Sequence, residues 1–193
     1  MESDLGKEEV VQKTSNKKKD FIDFIKYVVI AILIVIPVRM FIAQPFIVSG
    51  ESMYSTFLDG DYLIIDEISY NLGSPHRGDV IVFKYPLDPK RFFIKRIIGL
   101  PNEEISVKEG VITITNEENK EGFVYEEPYL KQEFKDSFQF KTSEKEYFVL
   151  GDNRARSSDS RIWGALPEKL ITGRALVRLL PLKDISYLPG NTK

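Results

Sequence analysis

Cysteine is absent from this 193-residue chain, and histidine occurs once, as His76. Without cysteine the chain has no thiol nucleophile, no thiolate zinc site and no disulfide framework. A single imidazole excludes a zinc site of the H-E-x-x-H type and leaves one candidate histidine for a Ser-His-Asp triad. His76 lies in a turn-like run, residues 74–78, where an exposed turn residue is expected. Any serine nucleophile is therefore expected to use a base other than histidine.

The chain also lacks a strong excess of charge of either sign. Charged residues make up 29% of the chain, and the formal net charge is -2. The basic footprint of a nucleic-acid-binding protein is missing, so no nucleic-acid partner is expected. The length is sufficient for one membrane anchor and one domain of ordinary size.

One long apolar segment lies near the N-terminus, at residues 21–43, interrupted only by Asp23, Lys26 and Arg39. A helix of this length spans about 34 Å, which is enough to cross a bilayer. Three lysines at 17–19 precede it, and the positive-inside bias places the N-terminus in the cytoplasm. The prediction is a cytoplasmic segment (1–20), a transmembrane anchor (21–43) and an extracytoplasmic domain (44–193) at the cell membrane.

A cleaved signal peptide is the alternative interpretation of residues 21–43. Cleavage after Ala43 would require a small residue two positions earlier, and that position holds Phe41. The sequence therefore favours an anchor that is not cleaved.

Beyond residue 43 the apolar residues form short β-type runs, separated by Gly, Pro, Asn and Asp. Strands are predicted at 62–65, 80–85, 92–98, 105–107, 111–115, 147–150 and 175–180. Lys108-Glu109-Gly110 is typical of a hairpin turn. Residues 116–146 are rich in Glu and Lys without a clear period, which predicts an irregular subdomain or a long loop. The expected fold is mostly β, with a small inserted subdomain within about 102–146.

A serine in a glycine-containing turn, Ser52, follows the apolar segment in the run Ser-Gly-Glu-Ser-Met at residues 49–53. Serines in such turns are usually structural, so a reactive Ser52 requires a nearby base. The best candidate is Lys95, which is flanked by residues suited to a buried strand. The alternative is a lysine that reaches water from the edge of a sheet.

Lys95 shares one face of an alternating strand with Phe93 and Ile97, whereas Arg96 falls on the other face. One of the two basic side chains should therefore point into apolar surroundings. Desolvation lowers the pKa of a buried lysine, whose neutral amine can take a proton from a serine hydroxyl. Lowering that pKa from about 10.4 to about 8 costs roughly 3 kcal/mol, which a packed domain can accommodate.

A polar loop at residues 151–161 directly follows the strand predicted at 147–150. Its sequence is Gly-Asp-Asn-Arg-Ala-Arg-Ser-Ser-Asp-Ser-Arg. Such a loop can supply a hydroxyl that orients a lysine amine and an Asp–Arg pair that holds the loop rigid. A metal-binding or solvated loop is the alternative. Its three arginines would repel calcium, and the spacing does not fit an EF-hand.

Four runs of residues resemble the bacterial type I signal peptidases, the membrane-bound Ser/Lys proteases that remove signal peptides from exported proteins. The runs lie, in the order of the family, at 49–53, 77–83, 94–101 and 151–161. The last run fits the pattern G-D-N-R-x-x-S-x-D-S-R, whose chance probability is roughly 10⁻¹⁰ at average residue usage. The resemblance extends from the apolar segment almost to the C-terminus.

The resemblance implies that Ser52 is the nucleophile, that Lys95 is the general base, and that the Ser157 hydroxyl positions the lysine amine. Substrates would be preproteins cut after a small residue, usually alanine, with a second small residue two positions before it. No metal or cofactor is implied. Supporting roles are implied for Ser157, Asp159, Arg161 and Arg96. The walls of the pockets that bind the small side chains are implied to be Val48, Met53, Val82 and Ile94.

The implied fold is a β-rich catalytic core, which makes residues 116–146 a variable insertion outside that core. Three positions depart from the family pattern. Asn102 stands where glycine is common after Leu-Pro, a mild change because Asn tolerates left-handed conformations. Ser55 stands where the family usually has proline, so the turn loses a φ restraint. Gly50 stands where some members carry an oxyanion-binding hydroxyl, so a backbone N–H, that of Ser52, is expected to carry more of that stabilisation.

Three alternatives remain open. Self-cleaving SOS repressors share a Ser/Lys dyad and a related fold, but the apolar segment and the short N-terminal segment argue against them. The chain could also be a non-catalytic membrane-anchored binding protein of the same fold, or a specialised signal peptidase such as a pilin-type enzyme. The expected partners are preproteins with signal peptides and the lipid bilayer, with proximity to the export translocon.

Overall fold

A computed structural model describes the backbone of residues 17–41, 43–132 and 134–191. Side chains are described over the same ranges, except at 17–18, 36–43 and 71. The chain divides into two units, Met1–Arg39 and Met40–Lys193.

The described part of the N-terminal unit is helical and belongs to the α-helix α1 (Lys17–Phe41). The last two residues of this helix belong to the second unit, which begins at Met40. All of its described side chains, at residues 19–35, are exposed to solvent. Within the part of the chain that the structure describes, no helix is both long enough and apolar enough to cross a membrane. The anchor predicted at 21–43 extends into residues 36–43, whose side chains lie outside the described residues.

The second unit consists mostly of β-strands, as predicted. In chain order the strands are β1 (Ala43–Ile47), β2 (Tyr62–Asp66), β3 (Val80–Tyr85), β4 (Asp88–Gly99), β5 (Glu104–Lys108), β6 (Val111–Thr115), β7 (Phe123–Tyr125), β8 (Phe138–Lys141), β9 (Glu146–Leu150), β10 (Leu166–Pro167), β11 (Ile171–Leu180) and β12 (Ser186–Tyr187). Two short α-helices are α2 (Ser69–Leu72) and α3 (Ser160–Trp163), and 3-10 turns lie at Arg154–Arg156, Glu168–Leu170 and Leu182–Asp184.

The larger sheet has the order β1-β2-β11-β3-β4-β9-β10, and β12 adds to β11. All of the pairings are antiparallel, and β4 lies between β3 and β9. In this register Ile81 is opposite Lys95, and Val149 is opposite Ile97. Because β4 is a central strand, its C-terminal half, residues 94–99, is buried. This position places Lys95 inside the domain.

A second sheet has the order β7-β6-β5-β8. The predicted hairpin is confirmed, because β5 and β6 pair across a turn in which Glu109 and Gly110 both have positive φ. Residues 116–146 supply β7 and β8, so the segment is partly ordered rather than one long irregular loop. Gly99 lies where the two sheets meet, and a Cβ atom there would lie 2.6 Å from Ile105. Only glycine allows this approach.

Each of the seven predicted strands lies within an observed strand. The sequence missed the edge strand β1, because residue 43 was assigned to the apolar segment and Pro45 disfavours a strand. Proline is tolerated at a sheet edge, where its missing N–H leaves no ladder bond unmade. The other missed strands have two to four residues, too few to show an alternating pattern.

Candidate active site

Ser52 lies in the connection between β1 and β2, and its turn is held from both sides. The side chains of Met53 and Phe57 are buried, and the Phe57 N–H donates to the Met53 carbonyl at 2.8 Å. Gly50 has a φ of 94°, and its N–H donates to the Asp59 carboxylate at 2.7 Å. These contacts fix the backbone immediately before and after Ser52.

Lys95 meets Ser52 from strand β4. Its Nζ lies 2.7 Å from the Ser52 Oγ, and it donates to the Ile94 carbonyl at 2.8 Å. The Phe93 ring centroid is 5.2 Å from the same nitrogen. Only 3% of Lys95 is exposed, so the alternative of a lysine reaching water from a sheet edge is wrong.

The environment of Lys95 favours a neutral amine. Burial lowers the pKa of Lys95 to about 8, although the carboxylates of Asp159 and Asp152 oppose this shift. Desolvation disfavours the ammonium form because the charge loses its hydration. A neutral amine within hydrogen-bonding distance of a hydroxyl can act as a general base.

Arg96, the next residue, points to the other face of β4 and is also fully buried. Its guanidinium bonds both oxygens of Asp152, at 2.9 and 2.6 Å, and donates to the Gly78 carbonyl at 2.9 Å. Asp152 also accepts a bond from the Thr56 hydroxyl at 2.5 Å. Both basic side chains of β4 are therefore inside the domain, and Arg96 remains charged there because Asp152 neutralises it.

The loop 151–161 lies directly against the nucleophile turn. The Asn153 N–H donates to the Ser52 carbonyl at 2.9 Å, and the Asn153 side-chain amide donates to the Glu51 carbonyl at 3.0 Å. A Cβ atom at Gly151 would lie 2.5 Å from the Ser52 carbonyl oxygen and 2.2 Å from the Ser157 Oγ. The glycine that opens the loop is therefore required for this close approach.

Ser157 is buried beside Gly151, but its hydroxyl has no hydrogen-bond partner among the described residues. The predicted bond from Ser157 to the Lys95 amine is therefore not formed. The amine bonds the Ser52 hydroxyl and the Ile94 carbonyl instead. The sequence pattern identified a hydroxyl near the site, but it contains no information on rotamers.

Asp159 and Arg161 form an ion pair at the far end of the loop. Asp159 is fully buried and accepts bonds from the Arg161 guanidinium at 2.8 and 2.9 Å. It also accepts from the Gly151 N–H at 3.1 Å. Arg161 in turn donates to the Arg154 carbonyl at 2.7 Å. The pair therefore connects the start, the middle and the end of the loop.

Residues 116–146, which the sequence predicts to be a variable insertion outside the catalytic core, contact arginines that hold this site. Among these contacts are an ion pair of Glu127 with Arg154, the Tyr129 ring 3.8 Å from the guanidinium of Arg96, and an ion pair of Asp136 with Arg161. Each arginine has a carboxylate or an aromatic face as its partner. These partners could not be predicted from the sequence, because scattered acidic and aromatic residues are also typical of a solvated loop.

A cleft of about 520 Å³ opens over Ser52 and Lys95. It is lined by Phe46, Ile47, Val48, Ser49, Gly50, Glu51, Ser52, Leu63, Val82, Arg91, Phe92, Phe93, Ile94, Lys95, Arg156 and Ser158. Three of the predicted pocket walls, Val48, Val82 and Ile94, line the cleft. The fourth, Met53, is not among the residues that line the cleft, although it packs in the same core cluster as these three.

His76 lies away from this site, as the turn-like sequence around it predicts. It is exposed and does not line the cleft. Its Nδ1 lies 3.7 Å from a carboxylate oxygen of Asp79.

Comparison with known proteins gives consistent matches. The family model described as signal peptidase, peptidase S26, matches residues 21–180. A probable signal peptidase I-2 of Synechocystis sp. is 35% identical, over 96% of this chain and 88% of the relative. Signal peptidase I P of Bacillus subtilis subsp. natto is 33% identical, over 91% and 97%. A crystal structure of a signal peptidase I from Enterococcus faecalis V583 is 29% identical, with a TM-score of 0.46, and covers 53% of this chain and 97% of that chain.

Proposed function

Since this chain belongs to the signal peptidase family, peptidase S26, we propose that it cleaves signal peptides with a catalytic dyad of Ser52 and Lys95. The chain is a serine endopeptidase, and its substrates are preproteins that carry signal peptides. The main support for the dyad is the 2.7 Å contact between the Lys95 Nζ and the Ser52 Oγ, together with the burial of Lys95.

In the first step the neutral amine of Lys95 takes the proton of the Ser52 hydroxyl while the Oγ attacks the scissile carbonyl carbon. The lysine ammonium then gives that proton to the leaving amine, and an acyl ester remains on Ser52. Water hydrolyses the ester, again with Lys95 as the base. The backbone N–H of Ser52 is proposed to bind the oxyanion, since Gly50 offers no hydroxyl.

Four side chains are proposed to support the dyad. The Ser157 hydroxyl is buried without a partner among the described residues, and it is proposed to rotate toward the lysine amine and orient it during the reaction, although the two are not bonded in this structure. The other three are Arg96, Asp159 and Arg161, whose ion pairs hold the loop 151–161 against the nucleophile turn. Rigid support of this kind keeps reacting groups in their productive geometry.

The substrate is proposed to lie extended in the cleft, with its small side chains against Val48, Val82 and Ile94. These three residues line the cleft beside Ser52. The side chains of these three residues form apolar walls, which suit the small apolar side chain of alanine.

Cleavage of a purified preprotein tests the function. The full chain is incubated in detergent with a preprotein, and the product is sequenced from its N-terminus. We expect a single new N-terminus that directly follows a small residue, with another small residue two positions earlier. An uncut preprotein, or cleavage after large residues, would contradict the proposed function.

The rate of cleavage is expected to increase with pH through the pKa of Lys95. That pKa is lowered to about 8, so below pH 8 the protonated fraction of Lys95 grows and kcat/KM falls about tenfold per pH unit. His76→Asn serves as the control and should leave this acid limb in place. An acid limb near the ordinary histidine pKa of about 6.5, lost in the His76 variant, would contradict Lys95 as the base.

Helix α1 is proposed to anchor the enzyme in the cell membrane, with the N-terminus in the cytoplasm and the catalytic domain on the extracytoplasmic face. Its described side chains at 19–35 are exposed and mostly large and apolar, which suits a lipid environment. The proposed partners are therefore preproteins and the lipid bilayer. The enzyme is proposed to lie near the export translocon.

The absence of cysteine permits a test of this topology without background labelling. Single cysteines are introduced as Glu118→Cys, at an exposed site of the second unit, and as Ser15→Cys. A membrane-impermeant maleimide should label Glu118→Cys in intact spheroplasts, and it should label Ser15→Cys only after lysis. The reverse pattern, or labelling of both only after lysis, would contradict the proposed orientation.

A further inference from the structure

An exposed ion pair crosses the surface next to the nucleophile. Arg156 of the loop 151–161 donates to the carboxylate of Glu51, the residue directly before Ser52. The side chains are 70% and 58% exposed, respectively. Arg156 also falls at one of the open positions of the pattern G-D-N-R-x-x-S-x-D-S-R, so the proposed mechanism gives it no role.

The same two residues separate two cavities. Glu51 and Arg156 line the cleft over Ser52, and they also line an adjoining cavity of about 230 Å³. The other residues around this second cavity are Tyr54, Gln132, Asn153 and Ala155. Glu51 and Arg156 are the residues that the two linings share, so the pair marks the passage between them.

This arrangement gives the bound peptide a direction, and the argument rests on the proposed function. Residues before the scissile bond occupy the cleft beside Val48, Val82 and Ile94. Residues after that bond must leave Ser52 on another side. The adjoining cavity begins beside Ser52, at Glu51, and is open to receive them.

Arg156 is the group in the adjoining cavity that can favour an acidic side chain. Among the residues that line this cavity, Arg156 is the cation and Glu51 is the acid, whereas Arg91 and Lys95 line only the cleft. Arg156 donates from one terminal nitrogen to Glu51 and retains further N–H donors. By contrast, Arg154 and Arg161 each bind a carboxylate and a backbone carbonyl.

The pair can exchange partners at low cost. Exposed ion pairs contribute little to stability because water screens both charges. A substrate carboxylate can therefore replace Glu51 on Arg156, and the planar guanidinium can bind it through two parallel bonds. A basic side chain in the same place would meet Arg156 as a like charge.

We propose that the cavity beside Glu51 and Arg156 binds the first residues of the mature protein, and that Arg156 selects an acidic side chain there. The enzyme then recognises both sides of the cleavage site. Small residues are recognised before the cut, and a carboxylate within the first residues is recognised after it.

Matched peptides test this proposal. Three substrates are identical except for one residue, aspartate, asparagine or lysine, at the second position after the scissile bond. For the native enzyme we expect kcat/KM to be about fivefold higher for aspartate than for asparagine, the size of a surface charge interaction, and lowest for lysine. Arg156→Glu should reverse this order, and Glu51→Gln should enlarge the preference for aspartate.

Arg91→Glu is the matched control, because Arg91 lines the cleft but not the adjoining cavity. It should retain the order aspartate, asparagine, lysine. Equal kcat/KM values for the three peptides with the native enzyme, or an unchanged order with Arg156→Glu, would overturn the proposed selection while the proposed function stands. Failure of the native enzyme to cut any of the three would overturn the proposed function and this inference with it.

Discussion

Replacing Ser52 by alanine is expected to lower kcat for preprotein cleavage by about 10⁴-fold or more, and Lys95→Met should have a similar effect. Alanine removes the nucleophilic oxygen. Methionine keeps a long apolar side chain but removes the amine that takes the serine proton. Because the two groups act as one unit, the double variant should be scarcely slower than either single variant.

The controls come from the same residue types outside the cleft. Lys84→Met changes an exposed lysine of the neighbouring strand β3, and Ser74→Ala changes an exposed serine before it. Both should cleave at the native rate in single-turnover assays with excess enzyme. Cleavage within tenfold of the native rate by Ser52→Ala or Lys95→Met would show that the proposed dyad does not carry the reaction.

Replacing Arg96 by methionine is expected to lower the free energy of unfolding by about 3–5 kcal/mol. The change leaves the buried carboxylate of Asp152 without its partner, since Arg96 binds both of its oxygens. It also removes the guanidinium donor to the Gly78 carbonyl. Denaturant titration of the detergent-solubilised chain, followed by tryptophan fluorescence of Trp163, measures the loss.

Two further variants separate the buried charge from the size of the side chain. Arg156→Met removes an arginine from an exposed ion pair and should cost about 0–1 kcal/mol. Adding Asp152→Leu to Arg96→Met removes the stranded carboxylate, so the double variant should be more stable than Arg96→Met alone. Equal losses for Arg96→Met and Arg156→Met would contradict a structural role for the buried pair.

The sequence predicted the strands that position the site because their residues alternate or are continuously apolar. The alternation predicted that one of the two basic side chains of β4 is buried and left open a Lys95 that reaches water, whereas the structure buries both Lys95 and Arg96. The apolar period does not give the rotamer of a hydroxyl. The predicted bond of Ser157 to the lysine amine is therefore one point at which the sequence and the structure differ.

The partners of the buried arginines could not be predicted from the sequence for a different reason. Tyr129 lies on the guanidinium of Arg96, and Glu127 binds Arg154, although both partners come from a segment rich in exposed charge. The period of apolar residues indicates which face of a strand is buried, but it does not indicate which distant residue pairs with a buried charged side chain. Contacts of this kind depend on tertiary folding.

Covalent labelling of Ser52 tests whether Lys95 activates this serine. The native enzyme is treated with a substrate-like acylating inhibitor at pH 9, where Lys95 is mostly neutral because its pKa is about 8, and the intact mass and the modified peptide are measured. We predict one added acyl group on Ser52, slower labelling below pH 8, and no labelling in Lys95→Met. Acylation of another residue, or labelling of Ser52 at the native rate in Lys95→Met, would contradict a lysine-activated serine.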